Sequence, residues 1–238
     1  MFENNYALCI MHYELNKVLI DLHSHRPSPD AIVNIDLDAD LLTSQPDGML
    51  FSAGVHPWAT ADTAAALQQL AWLQSVAADG RVVAIGEAGI DHLRGGDIEF
   101  QKEIFLSQVG LSEALRKPMI IHSVRGDAEI IAARRQSRAT MPWVIHGFRG
   151  GKEQAQMLIR EGFYLSFGER FNPEALRATP AERLLVETDE SPLTILDIAS
   201  KIADARYAQS QPPAPEISLL LILNCAELNI RKILTPNP

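Results

Sequence analysis

The chain has only two cysteines, Cys9 and Cys225, and they form no spaced pattern. Two isolated thiols suit a reducing compartment, and both read as structural. No run is long or apolar enough to cross a membrane. The first residues carry Glu3 and lack a basic stretch, and the apolar segment Tyr6 to Met11 is short, so no signal peptide is expected. The cytoplasm is the expected location, with no membrane and no obligate protein partner. Residues 1–16 read as a loosely attached leader, with Met11 as an alternative start, and residues 17–238 as one domain. An excess of basic residues is also missing. Lys and Arg number 21 against 30 Asp and Glu, giving a net charge of −9 and a pI near 5.2. That argues against a general nucleic-acid scaffold. It does not exclude an enzyme acting on phosphate esters, because two bound divalent ions would add about four positive charges at the site. Repeats, linkers and low-complexity segments are absent. The stretch Gln211-Pro212-Pro213-Ala214-Pro215 reads as a loop before the last helix.

What the chain does have is apolar substance: 238 residues, 47% hydrophobic, enough to bury a large core. Eight short β-rich runs stand out: 18–23, 31–36, 50–56, 82–87, 119–122, 143–148, 163–167 and 184–189. Several are hydrophobic almost throughout, as parallel strands covered on both faces are. Helical segments separate the later runs. Thr60 is the expected cap of a helix through Leu73 to Ala78, ended by Gly80. Asp97 is the expected cap of one carrying Phe100, Ile104, Leu111 and Leu115 on one stripe and stopping before Pro118. Residues 127–136, 152–160, 173–178 (Asn172 as cap, Pro173 at the first position), 192–207 and 216–234 follow. Strand and helix alternating to eight strands predicts an α/β fold, a (β/α)8 TIM barrel. Only Arg26–Asp30 separate the first two runs, too few for a crossover helix. The barrel is therefore expected to be distorted or abbreviated near strands 1 and 2.

Polar residues collect at the carboxyl ends of these runs, the face where barrels carry their chemistry. Asp21-Leu22-His23-Ser24-His25 closes the first, and strand alternation points Asp21, His23 and His25 to one side. His56 ends the third, Glu87 the fourth, His122 the fifth, His146 the sixth and Asp189 the eighth. Five of the seven histidines lie at this face. A lone histidine after an apolar strand is usually a hydrogen-bonded rim residue; His23, His25, Glu87, His122, His146 and Asp189 together point to metal. Mixed imidazole and carboxylate suit Zn, Mn, Co or Fe(II), with Mg possible at weaker His use. Six ligands are too many for one open catalytic ion and suit two ions sharing a bridging group.

Six motifs carry a resemblance: Asp21-Leu22-His23-Ser24-His25, Gly54-Val55-His56-Pro57, Gly86-Glu87-Ala88-Gly89-Ile90-Asp91, Ile121-His122-Ser123, Ile145-His146-Gly147-Phe148 and Glu187-Thr188-Asp189. In this order, over residues 18–200, they resemble the TatD family of metal-dependent deoxyribonucleases. The resemblance implies a TIM barrel of the amidohydrolase-like kind, with two divalent ions (Zn, Mg or Mn) and DNA phosphodiesters as substrate. It assigns His23, His25 and Asp189 to the first ion, Glu87 to a bridge, and His122 and His146 to the second. Asp189 would also serve as general base. Two departures stand out. The family's His-x-Arg is here His122-Ser123-Val124-Arg125, displacing Arg125 by one. The segment after Asp189, Glu190-Ser191-Pro192, leads almost directly to a helix and trims the rim that would face substrate.

Other residues carry weaker expectations. His56 is expected to contact substrate or water at the metals. Asp91 would either orient a ligand or cap the next loop, and Asp21 and Glu187 would support ligands rather than bind metal. Arg94, Arg125, Arg149, Lys152 and Arg170 could meet phosphates, and Trp58 and Phe148 could stack on bases. His12 and His92 read as surface residues, and Arg134, Arg135 and Arg138 as a solvated face. Two competing readings remain: a hydrolase of the same fold acting on a small cyclic amide, lactone or phosphoester, and a non-catalytic metal-binding protein.

Overall fold

A computed structural model describes residues 18–35, 42, 44, 46–208 and 213–235. The expected leader, with Cys9, Met11 and His12, lies outside the described residues, as do Asp36, Gln211 and Pro212. Eight parallel strands close into a barrel in chain order: β1 Asp21–Ser24, β2 Ala31–Ile35, β3 Leu50–Ala53, β4 Val82–Asp91, β5 Met119–Val124, β6 Trp143–Ile145, β7 Tyr164–Phe167 and β8 Leu184–Val186. From β3 onward each strand is followed by a helix: α1 Thr63–Val76, α2 Ile98–Leu115, α3 Asp127–Ser137, α4 Lys152–Arg160, α5 Pro173–Ala178 and α6 Ile195–Tyr207. A last helix, α7 Pro215–Leu234, packs beside α6 and β8. No helix among the described residues is long and apolar enough to cross a membrane.

The beginning is abbreviated, as the short first connection requires. Residues 25–30 join β1 to β2 without a helix, and the register between the two strands shifts between Asp21 and Ser24. The Asp30 carbonyl ties the return, accepting the N–H groups of Ile20 (3.1 Å) and Asp21 (3.0 Å).

Inside the barrel, side chains change from apolar to polar within two residues along several strands. Leu22, Ile32, Ala84, Ile120, Val144, Tyr164 and Leu185 form one buried layer, closed by Ile230 and Ile233 of α7. Strand alternation returns the same face two positions later, which converts Ile32 to Asn34, Ile120 to His122, Val144 to His146 and Leu185 to Glu187. The apolar layer holds the barrel shut, and the polar layer above it forms the floor of the site. The alternate positions (Met119, Ile121, Trp143, Ile145, Leu184 and Val186 among them) face outward against the helices.

Several boundaries differ from the sequence expectation, each for a local reason. Asp62, rather than Thr60, caps α1 by accepting the Ala65 N–H (3.1 Å). Thr60 sits instead in a 3-10 turn, Pro57–Ala61, where its hydroxyl donates to the Pro57 carbonyl. α1 ends at Val76, before Gly80, and the Lys117 ammonium donates to the Ala77 and Asp79 carbonyls beyond it. α6 starts at Ile195 because Thr194 and Asp197 form a capping box. β4 runs past Glu87 to Asp91, since Ala88–Asp91 pair with Ile121–Val124. Arg134 is not a solvated residue: it lies half-buried, its guanidinium over Trp143 (5.3 Å) and Phe163 (5.4 Å). Arg135 pairs with Glu161, and Arg138 ends α3 in the left-handed conformation.

Candidate metal centre

Glu87 is the hub of the polar layer, and the backbone is built to place it. Side chains at Gly86 and Gly89 would collide with the carbonyls of Ile120 and His122 on β5, so only glycine allows β4 this close. The Asn34 side-chain oxygen accepts the Glu87 N–H (3.0 Å) and the Ser52 hydroxyl (3.1 Å). The Glu87 carboxylate then meets five imidazoles. Its Oε1 lies 2.6 Å from His146 Nε2, 2.7 Å from His122 Nδ1 and 3.2 Å from His56 Nε2. Its Oε2 lies 3.3 Å from His23 Nε2 and 3.8 Å from His25 Nε2. Asp189 Oδ1 approaches the same two histidines, at 3.9 and 3.7 Å.

Asp189 takes this position with a left-handed backbone, φ +52°. Asp is among the residues that tolerate that region. Two backbone hydrogen bonds to the end of β1 and the residue after it hold it there: Asp189 N–H to the His23 carbonyl (2.8 Å) and His25 N–H to the Asp189 carbonyl (3.3 Å).

Behind this inner ring stand three more carboxylates. Glu187, fully buried, accepts the Gly147 N–H (2.6 Å) and faces His146 Nδ1 (3.4 Å). Asp91 makes contacts of both kinds weighed for it, to the following loop and to an imidazole. Its Oδ1 accepts the N–H groups of Leu93 (2.8 Å) and Arg94 (3.1 Å), while Oδ2 accepts the Trp58 indole N–H (2.7 Å) and faces His122 Nε2 (3.3 Å). The Asp21 carboxylate accepts the Thr188 N–H (2.9 Å) and hydroxyl (2.7 Å), bracing the residue before Asp189.

The charges are settled by competition between burial and these contacts. Burial pushes Glu87 up, but the His146 charge, hydrogen bonds from His122 and His146 and the approach of His23 win, leaving it well below the usual carboxylate range. Burial pulls His146 down, yet Glu87 and Glu187 raise it well above an ordinary imidazole. Asp189 is raised by burial and by the nearby Glu187. Burial lifts Asp21 to about 7, with Glu187 and Asp30 adding to the rise and its Thr188 hydrogen bonds offsetting only part.

Four triads bring one donor atom from each residue within 4.8 Å of the others: His23, Glu87 and His146; His23, His25 and Asp189; His56, Glu87 and His122; His146, Glu187 and Asp189. Glu87, His122 and His146, the set that the resemblance gives the second ion, are not one of these triads, although both imidazoles reach Glu87 Oε1. His56 stands with Glu87 and His122 in one triad and also lines the cavity beside it. Both ring nitrogens of His23, Nδ1 and Nε2, are buried and have no hydrogen-bond partner among the described residues. A wholly buried imidazole with open nitrogens amid carboxylates is a donor set that fits a divalent cation.

The centre opens into a cavity of about 720 Å³ lined by, among others, Trp58, Asp127, Phe148, Arg149, Gln154 and Glu190. Arg149 also borders an adjoining cavity of about 330 Å³ with Arg170. Arg125 and Lys152 line neither. Phe148 is 2% exposed and packs edge-on against Phe167, which removes it as a stacking platform. Trp58, 44% exposed, keeps that possibility, with the Arg94 guanidinium 4.4 Å from its ring centre. His92 sits at the surface against Glu129 (3.0 Å). Sequence reasoning passed over Asn34, Gln101 and Gln108; a polar residue inside the apolar run Ala31–Ile35 was the available signal for the first.

A family model described as TatD related DNase matches residues 31–206. The chain belongs to this TatD-related DNase family. The TatD match takes in His56, Glu87, His122, His146 and Asp189; His23 on β1 and His25 just after it precede the match, and β1 pairs with β2 and β8. Among curated relatives is the uncharacterized metal-dependent hydrolase YabD of Bacillus subtilis (strain 168), 32% identical over 152 residues, or 60% of this chain and 59% of that protein. Another is the 3'-5' ssDNA/RNA exonuclease TatD of Edwardsiella piscicida, 34% identical over 176 residues, or 68% of this chain and 65% of that protein. The chain thus spans less than two thirds of the length of these relatives. The crystal structure of YjjV, a TatD homolog from Escherichia coli K12, aligns with a TM-score of 0.66 at 22% identity, covering 92% of this chain and 98% of that one. That likeness is one of fold.

Proposed function

We propose that this TatD-family chain is a metal-dependent hydrolase that cleaves DNA phosphodiester bonds at a two-ion centre, and that residues 17–238 form the single domain carrying it. The observation that carries this reading is Glu87, whose two oxygens face two separate groups of imidazoles. His23, His25 and Asp189 would hold one ion, with Glu87 shared. Around Glu87 Oε1, His122 and His146 would hold the other, with His56 in reach of the same oxygen. Imidazole with carboxylate suits Zn or Mn, and Mg less well. Divalent ions bound there would lower the pKa of an attacking water and offset charge on the attacked phosphoryl group.

The remaining work falls to the chain. Asp189, at the cavity wall and braced through Thr188, is placed to accept the proton of the attacking water. Arg149 offers a cation to a substrate phosphate, and the exposed Trp58 face offers a surface for a base. A cytoplasmic setting suits the two isolated thiols.

The test is hydrolysis of labelled single-stranded and duplex DNA with Mg²⁺, Mn²⁺ or Zn²⁺, with and without chelator. Metal-dependent cleavage is expected; no cleavage under any metal overturns the nuclease reading. One observation favours the small-substrate alternative. Arg149 is the only Lys or Arg among the described residues lining the larger cavity, against Glu87, Asp127, Asp189 and Glu190. Turnover of a cyclic amide, lactone or small phosphoester in place of DNA would establish that reading instead.

A further inference from the structure

α2 contributes no donor to the centre, yet two buried amides on it grip both segments that carry the His56 and Asp91 side chains. Resting on the two-ion reading above, we propose that Gln101 and Gln108 are positioning residues that hold His56 and Asp91 in register around His122. They thereby set the affinity for the ion bound on the Oε1 side of Glu87.

Gln108 lies where the β3 ladder stops. The β3–β4 pairing runs out at Ala53 and Ile85, and Val55, two residues later, is 1% exposed. The Gln108 amide takes up both backbone groups of Val55. Its Oε1 accepts the Val55 N–H (2.8 Å), and its Nε2 donates to the Val55 carbonyl (3.1 Å). A fully buried aliphatic side chain here would leave two backbone groups unpaired. The next residue is His56, so the grip on Val55 fixes where that imidazole starts.

Gln101 does the same for β4. Its Oε1 accepts the Asp91 N–H (2.9 Å), and its Nε2 donates to the carbonyls of Asp91 (3.0 Å), Arg94 (3.0 Å) and Gly96 (3.1 Å). The Asp91 side chain in turn faces His122 and holds Trp58, which stands two residues after His56. Residues seven apart share one helix face, about 10 Å along the axis. Between the two amides, Ile104 and Phe105 are buried in separate core clusters and anchor the rod. The spacing of the two grips is therefore a property of the helix rather than of either loop. Partners of this kind behind metal-binding imidazoles fix ring orientation.

The test titrates the full chain with Zn²⁺ by calorimetry. The unaltered protein is expected to take up two ions. Gln108→Met and Gln101→Met are each expected to bind the first within twofold of the unaltered protein, and the second about 10–100-fold more weakly. Ser112→Ala, which removes the hydroxyl bond to the Lys117 carbonyl (2.6 Å) near the end of α2, is expected to lower Tm and leave both affinities unchanged. A role limited to general stability would make the glutamine variants behave like Ser112→Ala. Coupling is reciprocal, so in the unaltered protein hydrogen exchange at the Val55 and Asp91 amides should slow on the second equivalent of Zn²⁺ and not on the first. That measurement stands whether or not the variants fold. Unchanged second-ion affinity in folded variants, or exchange at Val55 and Asp91 indifferent to the second ion, overturns the proposal. Uptake of fewer than two ions by the unaltered protein overturns the two-ion reading itself, and this proposal with it.

Discussion

Glu87 Oε1 lies 2.6 Å from Nε2 of His146, two groups 59 residues apart in the chain. The same oxygen also meets His122 and His56, while the other faces His23 and His25. One carboxylate therefore joins residues from four other strand ends, and removing it should disconnect both halves of the centre at once.

Glu87→Gln keeps the shape and removes the charge. Hydrolysis is expected to fall on the order of 10⁴-fold, as when a member of a catalytic unit is lost. Elemental analysis should show lower metal content in the same preparation. His92→Ala, at a surface contact with Glu129, should leave both unchanged.

Asp91→Ala removes the acceptor shared by Trp58, Leu93, Arg94 and His122. Metal affinity should weaken about 10–100-fold, measured by competition with a chelating dye. Asp91→Asn keeps an acceptor oxygen and should lose less.

Trp58→Ala tests the mouth rather than the metals. If a base stacks on its exposed face, KM for single-stranded DNA should rise about 5–150-fold, since such stacking is worth roughly 1–3 kcal/mol. Trp58→Phe keeps the ring, loses the N–H to Asp91, and should retain most of the KM.

Away from the site, Glu113 gives a pH prediction of definite sign. Burial would raise it, but the Thr140 hydroxyl and the N–H groups of Met141 and Thr140 outweigh that and leave it below its ordinary 4.5. A lowered carboxylate contributes stability above the unfolded value, and that contribution disappears as pH falls through the folded one. Glu113→Gln should therefore cost roughly 1 kcal/mol near pH 7. The gap in Tm between the two proteins should narrow as pH drops below about 4.

The eight strands were legible because parallel strands covered on both faces read as short apolar runs, and the strand-end histidines stood out against them. Asn34, Gln101 and Gln108 were not. Their partners are backbone groups of Glu87, Asp91 and Val55 on other elements, and no local pattern announces a backbone partner. Thr60 misled for a similar reason: Pro57 starts a 3-10 turn that moves the helix cap to Asp62. Arg134 resembled surface charge in a basic cluster, while its stem and guanidinium pack over Trp143 and Phe163, ring positions that only the fold brings near. The two sets of contacts that Asp91 makes depend on which oxygen faces which partner, and that lies beyond sequence.

The central claim is that Glu87 organises a two-ion centre, and metal stoichiometry tests it most directly. Full-length protein loaded with Zn²⁺ or Mn²⁺, passed through a desalting column and measured by elemental analysis, should carry two ions per chain. Glu87→Ala treated identically should carry at most one. Unaltered protein that retains no ion, or a Glu87→Ala variant that still retains two, would contradict the account.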